Sequence, residues 1–160
     1  MNQLLLKGFE VELFTSNNAC QPIGCSAEAS RQFDDFVTEP DQRNIEYITQ
    51  PEKRYENLKE LLLEPRRRLR AWLKRKQLTI LPGSTMFLGD SNQFQRSDPS
   101  NSYHQFIEEN YGATVVTASV HINLGIEELP MIFAALRLVR CEAALFLALS
   151  ASSPLSLIHI

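Results

Sequence analysis

The chain has 160 residues, 44% of them hydrophobic and 22% charged, with a formal net charge of −3. That is the composition of an ordinary soluble globular protein, long enough for one domain with a real core. The net negative charge predicts no nucleic-acid partner, and the apolar stretch Leu129–Ser150, interrupted by Arg137, Arg140 and Glu142, is too charged to span a membrane.

In chain order, residues 3–15 read as a first strand, with Ser16-Asn17-Asn18 opening a turn. Glu10 and Glu12 lie two positions apart in it, so they point to one side while Phe9, Val11 and Leu13 point to the other. Neighbouring carboxylates raise each other's pKa unless something positive sits between them. A solvated acidic edge strand and a site for a hard divalent cation both satisfy this pattern. A short helix is expected near 27–33, followed by a strand over Ile45–Thr49 that sets Glu46 between Ile45 and Tyr47, with Glu39 and Asp41 in the turn before it. A carboxylate buried alone among such neighbours is costly.

Pro51 reads as the start of a long amphipathic helix, whose apolar residues Tyr55, Leu58, Leu62, Leu69 and Leu73 recur at helical intervals. Pro65 is expected to kink or divide it. Its basic residues, Arg66 to Lys76, fit a solvated helix face better than a phosphate or RNA patch. A strand is expected over 78–83, a long loop over Gly89–Ser102, and a short helix over 103–110 that stops at Gly112. β-Branched residues over 113–125 predict one long central strand, on which His121 and Asn123 share a face. A buried helix is expected over 126–149, with Glu127 and Glu128 near its positive end. Strands and helices mixed without a regular rhythm predict the α+β class with an antiparallel sheet.

Cys20, Cys25 and Cys141 show no metal spacing and no secretory signal precedes them, so a reduced, cytoplasmic setting and packing roles are expected. Residues 155–160 resemble a translated sequencing adapter. The expectation is therefore a fragment whose native domain covers 1–154, and His159 enters no site.

If the strands are neighbours in register, Glu10, Glu12, Glu46 and His121 project from one face as an oxygen-rich cage. Such a donor set selects Mg²⁺ or Mn²⁺ over zinc, and those ions most often serve substrate phosphates. Neither a glycine-rich phosphate loop nor a dinucleotide fingerprint occurs, so phosphate would be held by metals and sheet side chains.

The ordered blocks KGFEVELF, EPDQRNIEYIT, PRRRLRAWL, LPGSTMFLGDS, RSDPSNSYHQFIEENYG, VVTASVHINLG and LFLALSASSP resemble the glutamate–cysteine ligases of the bacterial, cyanobacteria-like branch over residues 4–154. The resemblance implies a glutamine-synthetase-like fold, an antiparallel curved sheet with flanking helices, here incomplete. It implies ATP-dependent ligation of L-cysteine to the γ-carboxylate of L-glutamate through a γ-glutamyl phosphate, the first step of glutathione biosynthesis. Glu10, Glu12 and Glu46 match family metal ligands with catalytic roles, and His121 matches the histidine that joins them. Glu39 sits where a further acidic ligand is expected, with Asp41 competing for the role. Tyr103 falls where a tyrosine lies near the cysteine substrate, and Arg43 and Arg96 are candidates for holding substrate carboxylates. ATP contacts are expected largely in a continuation beyond Pro154, so the 160-residue chain alone is expected to be inactive. Two other readings stay open on the residues: a carboxylate–amine ligase with another amine acceptor, and a non-catalytic α+β binding module.

Overall fold

A computed structural model describes residues 5–150, so the expected adapter-derived tail lies outside the described residues. The fold is α+β and its sheets are antiparallel. Strand β1 (Leu6–Asn17) is the spine. On one side it pairs with β3 (Asn44–Ile48), which in turn pairs with β2 (Phe36–Thr38). On the other side β7 (Val120–Gly125) takes its first half and β4 (Leu78–Leu81) its last residues. A second, two-stranded sheet joins β5 (Thr85–Phe87) to β6 (Val115–Thr117).

Period-two alternation sorts the two faces of β1. Val11 lies opposite Tyr47 and Leu13 opposite Ile45, and this side packs on helix α1 (Ser26–Gln32) and helix α2 (Tyr55–Arg75) through Ala29, Leu69, Trp72 and Leu73. The other side shows Glu12 opposite Glu46, and beyond them Phe14 seeds a smaller cluster with Leu88, Val116 and Ala118. Helix α3 (Ser102–Tyr111) starts where the Asn101 side chain accepts the N–H groups of Tyr103 and His104, and ends at Gly112, whose φ of 82° favours glycine.

Several expectations are corrected. The first strand runs two residues further than expected, because Asn17 N–H and Ile23 N–H hold its end to the following loop. The long helix begins at Tyr55 rather than Pro51, since Glu52 exchanges backbone hydrogen bonds with Lys7 and its carboxylate accepts the N–H groups of Lys53 and Arg54. It then passes through Pro65 unbroken; the Tyr47 hydroxyl donates to Leu62 O at 2.8 Å, in the turn that the proline disturbs. The expected central strand over 113–125 is two strands in two sheets. Ala118 N–H donates to Ser84 O and Ser119 N–H to the Glu12 carboxylate, so the backbone changes partners there. The expected buried helix over 126–149 is two helices, α4 (Leu129–Cys141) and α5 (Ala143–Ser150), separated at Glu142. No residue of α4 is buried, and Leu129, Phe133, Leu136 and Leu138 are exposed. Among the described residues no helix is long and apolar enough to cross a membrane.

Leu73 is fully buried where α2 meets the sheet. Leu73→Ala is expected to lower unfolding stability by about 2–5 kcal/mol, read from denaturant midpoints followed by circular dichroism.

Candidate active site

The acidic face of the sheet opens into a concave site of about 360 Å³, lined by Glu10, Glu12, Glu46 and His121 from the sheet, Glu39 and Pro40 from the turn before β3, and Tyr103 and Ile107 from α3. Glu10 stands opposite His121 across β1 and β7, and Glu12 opposite Glu46 across β1 and β3, so strand register alone gathers these four. α3 is held against the turn by Ser97, whose hydroxyl donates to Glu39 O at 2.5 Å and lies 3.4 Å from Nδ1 of the buried His104.

No lysine or arginine among the described residues lines this site, so its carboxylates are relieved by other means. Glu10 accepts the Asn123 amide at 2.9 Å and sits 3.0 Å from His121 Nδ1; hydrogen bonds from His121 and then Asn123 hold its carboxyl below the usual carboxylate range. Glu12 accepts Asn44 Nδ2 at 3.1 Å and Ser119 N–H at 3.0 Å on the same oxygen, Oε2, while its Oε1 lies 3.9 Å from His121 Nε2. Glu39 is pushed up to about 8, first by burial and then by the charges of Glu12 and Glu46. Burial likewise raises Glu46, which accepts a hydrogen bond from Glu39. A proton shared by the two lets Glu39 donate to Glu46, and burial together with the charges of Glu12 and Glu10 favours its retention.

Of Glu39 and Asp41, only Glu39 lines the site. Asp41 is buried and accepts hydrogen bonds from the Arg43 guanidinium, the Arg43 N–H and the Gln95 N–H. Arg43 is therefore committed to that pair and to Gln93 O, and Arg96 pairs with Glu108 on α3. Asn44 and Ile107 are the residues that sequence reasoning leaves out, while Asn123 enters it as the residue that shares a face with His121. The alternation that groups Glu10 with Glu12 would also have grouped Asn44 with Glu46, whereas Ile107 carried no signal because only the packing of α3 brings it here.

A larger groove, about 500 Å³, runs along α2, but most of its acidic residues are already paired: Asp35 and Glu64 with Arg68, and Glu60 with Arg67. The sheet site differs in gathering four glutamates with no lysine or arginine lining it. Its oxygen-rich donors and its shared proton fit a hard cation such as Mg²⁺ in charge and type. Among the described residues, however, no three His, Cys, Asp or Glu side chains converge closely enough to hold one ion. A cation would have to draw these carboxylates out of their present hydrogen bonds.

The sequence pattern of glutamate-cysteine ligase family 2 matches residues 6–156. The chain belongs to this family. The match takes in every strand of the acidic site and both α4 and α5. A search of curated proteins found no match. Membership in the family makes ligase-type chemistry the frame in which the site is read.

The Glu39 proton makes the fold sensitive to pH. The folded protein keeps it up to about pH 8, while the unfolded chain releases it near 4.5, so the folded state binds more protons between these values and stability falls as pH rises through them. Glu39→Gln is expected to flatten that decline in denaturation midpoints recorded from pH 5 to pH 8 without added metal.

Proposed function

We propose that this chain forms the acidic floor of an ATP-dependent glutamate–cysteine ligase that uses Mg²⁺ or Mn²⁺. In this reading the γ-carboxylate of L-glutamate takes a phosphoryl group from ATP, and the amine of L-cysteine then attacks the γ-glutamyl phosphate to give γ-glutamylcysteine. That product is the first intermediate of glutathione biosynthesis, in keeping with a reduced cytoplasmic setting. The same resemblance underlies a glutamine-synthetase-like, curved sheet and a place in the cyanobacteria-like branch.

The observation that supports the reading is the meeting of Glu10, Glu12, Glu39 and Glu46 at one concave site without a lysine or arginine lining it. Phosphoryl transfer between two anions needs alignment and charge neutralisation, which divalent ions supply when bound among carboxylates. Glu10, Glu12 and Glu46 would hold the cation with His121 joining them. Glu39 would add a further oxygen once its proton is released. The Tyr103 ring and Ile107 wall the site from α3, where Tyr103 would face the cysteine substrate. Arg96, whose pair with Glu108 is more exposed than the buried pair of Arg43 with Asp41, would be the freer of the two to exchange its partner for a substrate carboxylate.

Calorimetric titration with Mg²⁺ or Mn²⁺, followed by L-glutamate, tests the proposal. Wild-type protein is expected to bind the ion, Glu12→Gln to weaken it at least about tenfold, and glutamate to bind only with the ion present. Ion binding equal in both proteins, or glutamate binding that ignores the ion, would overturn the ligase reading in favour of a solvated acidic face.

A further inference from the structure

We propose that Asn44 is a positioning residue that sets the orientation of the Glu12 carboxylate, so that Glu12 meets the site through Oε1 alone. The inference rests on the reading of Glu12 as a cation-holding residue, and goes beyond it by naming the side chain that aims it. Asn44 is fully buried at the start of β3. Its Nδ2 donates to Glu12 Oε2 at 3.1 Å and to Thr117 O at 2.8 Å, while its Oδ1 has no hydrogen-bond partner among the described residues. Both neighbours of Nδ2 are acceptors only, a carboxylate and a backbone carbonyl, so the amide is oriented by its surroundings and turning it over would set oxygen against oxygen twice. The position thus demands two donors from one atom in a side chain of this size. Aspartate offers none, and leucine offers none.

The consequence appears at Glu12. Oε2 takes two donors, Asn44 Nδ2 and Ser119 N–H, whereas Oε1 is left toward His121 at 3.9 Å. Since Ser119 lies between β6 and β7 and Thr117 ends β6, one amide ties the carboxylate of β1 to β3 and to the crossover that leads into His121. A ligand's outer partner of this kind fixes which oxygen is presented and removes rotamers that would otherwise compete with binding.

The test compares Asn44→Leu and Asn44→Asp with Tyr47→Phe, which deletes a hydrogen bond from the opposite face of the same strand and leaves Glu12 untouched. Hydrogen exchange at the Ser119 amide is read without metal, and Mn²⁺ affinity is read by electron paramagnetic resonance. Asn44→Leu is expected to speed Ser119 exchange about tenfold or more beyond Tyr47→Phe and to weaken Mn²⁺ by about 10–100-fold, with Tyr47→Phe close to wild type. The Asp variant should be the more severe, and if it does not fold the Leu variant decides. Mn²⁺ affinity in Asn44→Leu equal to that of Tyr47→Phe would reduce Asn44 to a link between strands and overturn the proposal. If wild type binds no Mn²⁺, the ligase reading fails on its own, and Ser119 exchange then decides whether Asn44 aims Glu12: faster exchange supports it and unchanged exchange overturns it.

Discussion

The pairing of β1 with β3 in the register that sets Glu12 opposite Glu46 governs the rest of this molecule. Like charges directly opposed on a sheet cost up to about 1 kcal/mol, so local interactions would not choose this arrangement. The opposite face chooses it. Val11 against Tyr47 and Leu13 against Ile45 are the pairs that α1 and α2 cover, and a slip of one residue would turn either Glu10 and Glu12 or Glu46, depending on which strand moves, into that apolar core. The core thus pins three carboxylates to a face where they repel one another.

The repulsion is met differently at each position. Glu10 is satisfied by His121 and Asn123, Glu12 by Asn44 and a backbone N–H, and Glu39 with Glu46 by one proton held between them. Among the described residues no lysine or arginine takes part in these remedies, in contrast to the groove along α2, where arginines pair with Asp35, Glu60 and Glu64. A site with four carboxylates and no lysine or arginine lining it keeps its demand for positive charge. That demand is what the proposed function draws on.

Much of this was readable from residue order. Spacing of two along a strand put Glu10 with Glu12 and His121 with Asn123, and helical spacing placed Leu69 and Leu73 on the buried side of α2. What escaped depended on contacts remote in the chain. The division between β6 and β7 at Ala118–Ser119 is made by Ser84 and Glu12, more than thirty and more than one hundred positions away respectively, and no local propensity encodes it. Pro65 passes inside α2, where the Tyr47 hydroxyl from the sheet donates to the neighbouring Leu62 carbonyl. The apolar residues after Gly125 read as core from composition, yet burial is decided by what lies across from them, and no residue of α4 is buried. Glu39 and Asp41 were inseparable as letters; Arg43, two residues on, separates them by claiming the aspartate.

The position of β7 has an effect on the chemistry of Glu10. Among the described residues this strand has a single neighbour, β1, and all six of its residues are exposed. Strands at a margin are the first to fray. Since His121 and Asn123 ride on the same short ribbon, fraying would remove both of Glu10's partners in one event, and the carboxylate would meet the solvent bare. Protonation equilibria at the site are thereby coupled to the breathing of a peripheral ribbon, and whatever quiets that ribbon also retunes the acid beside it.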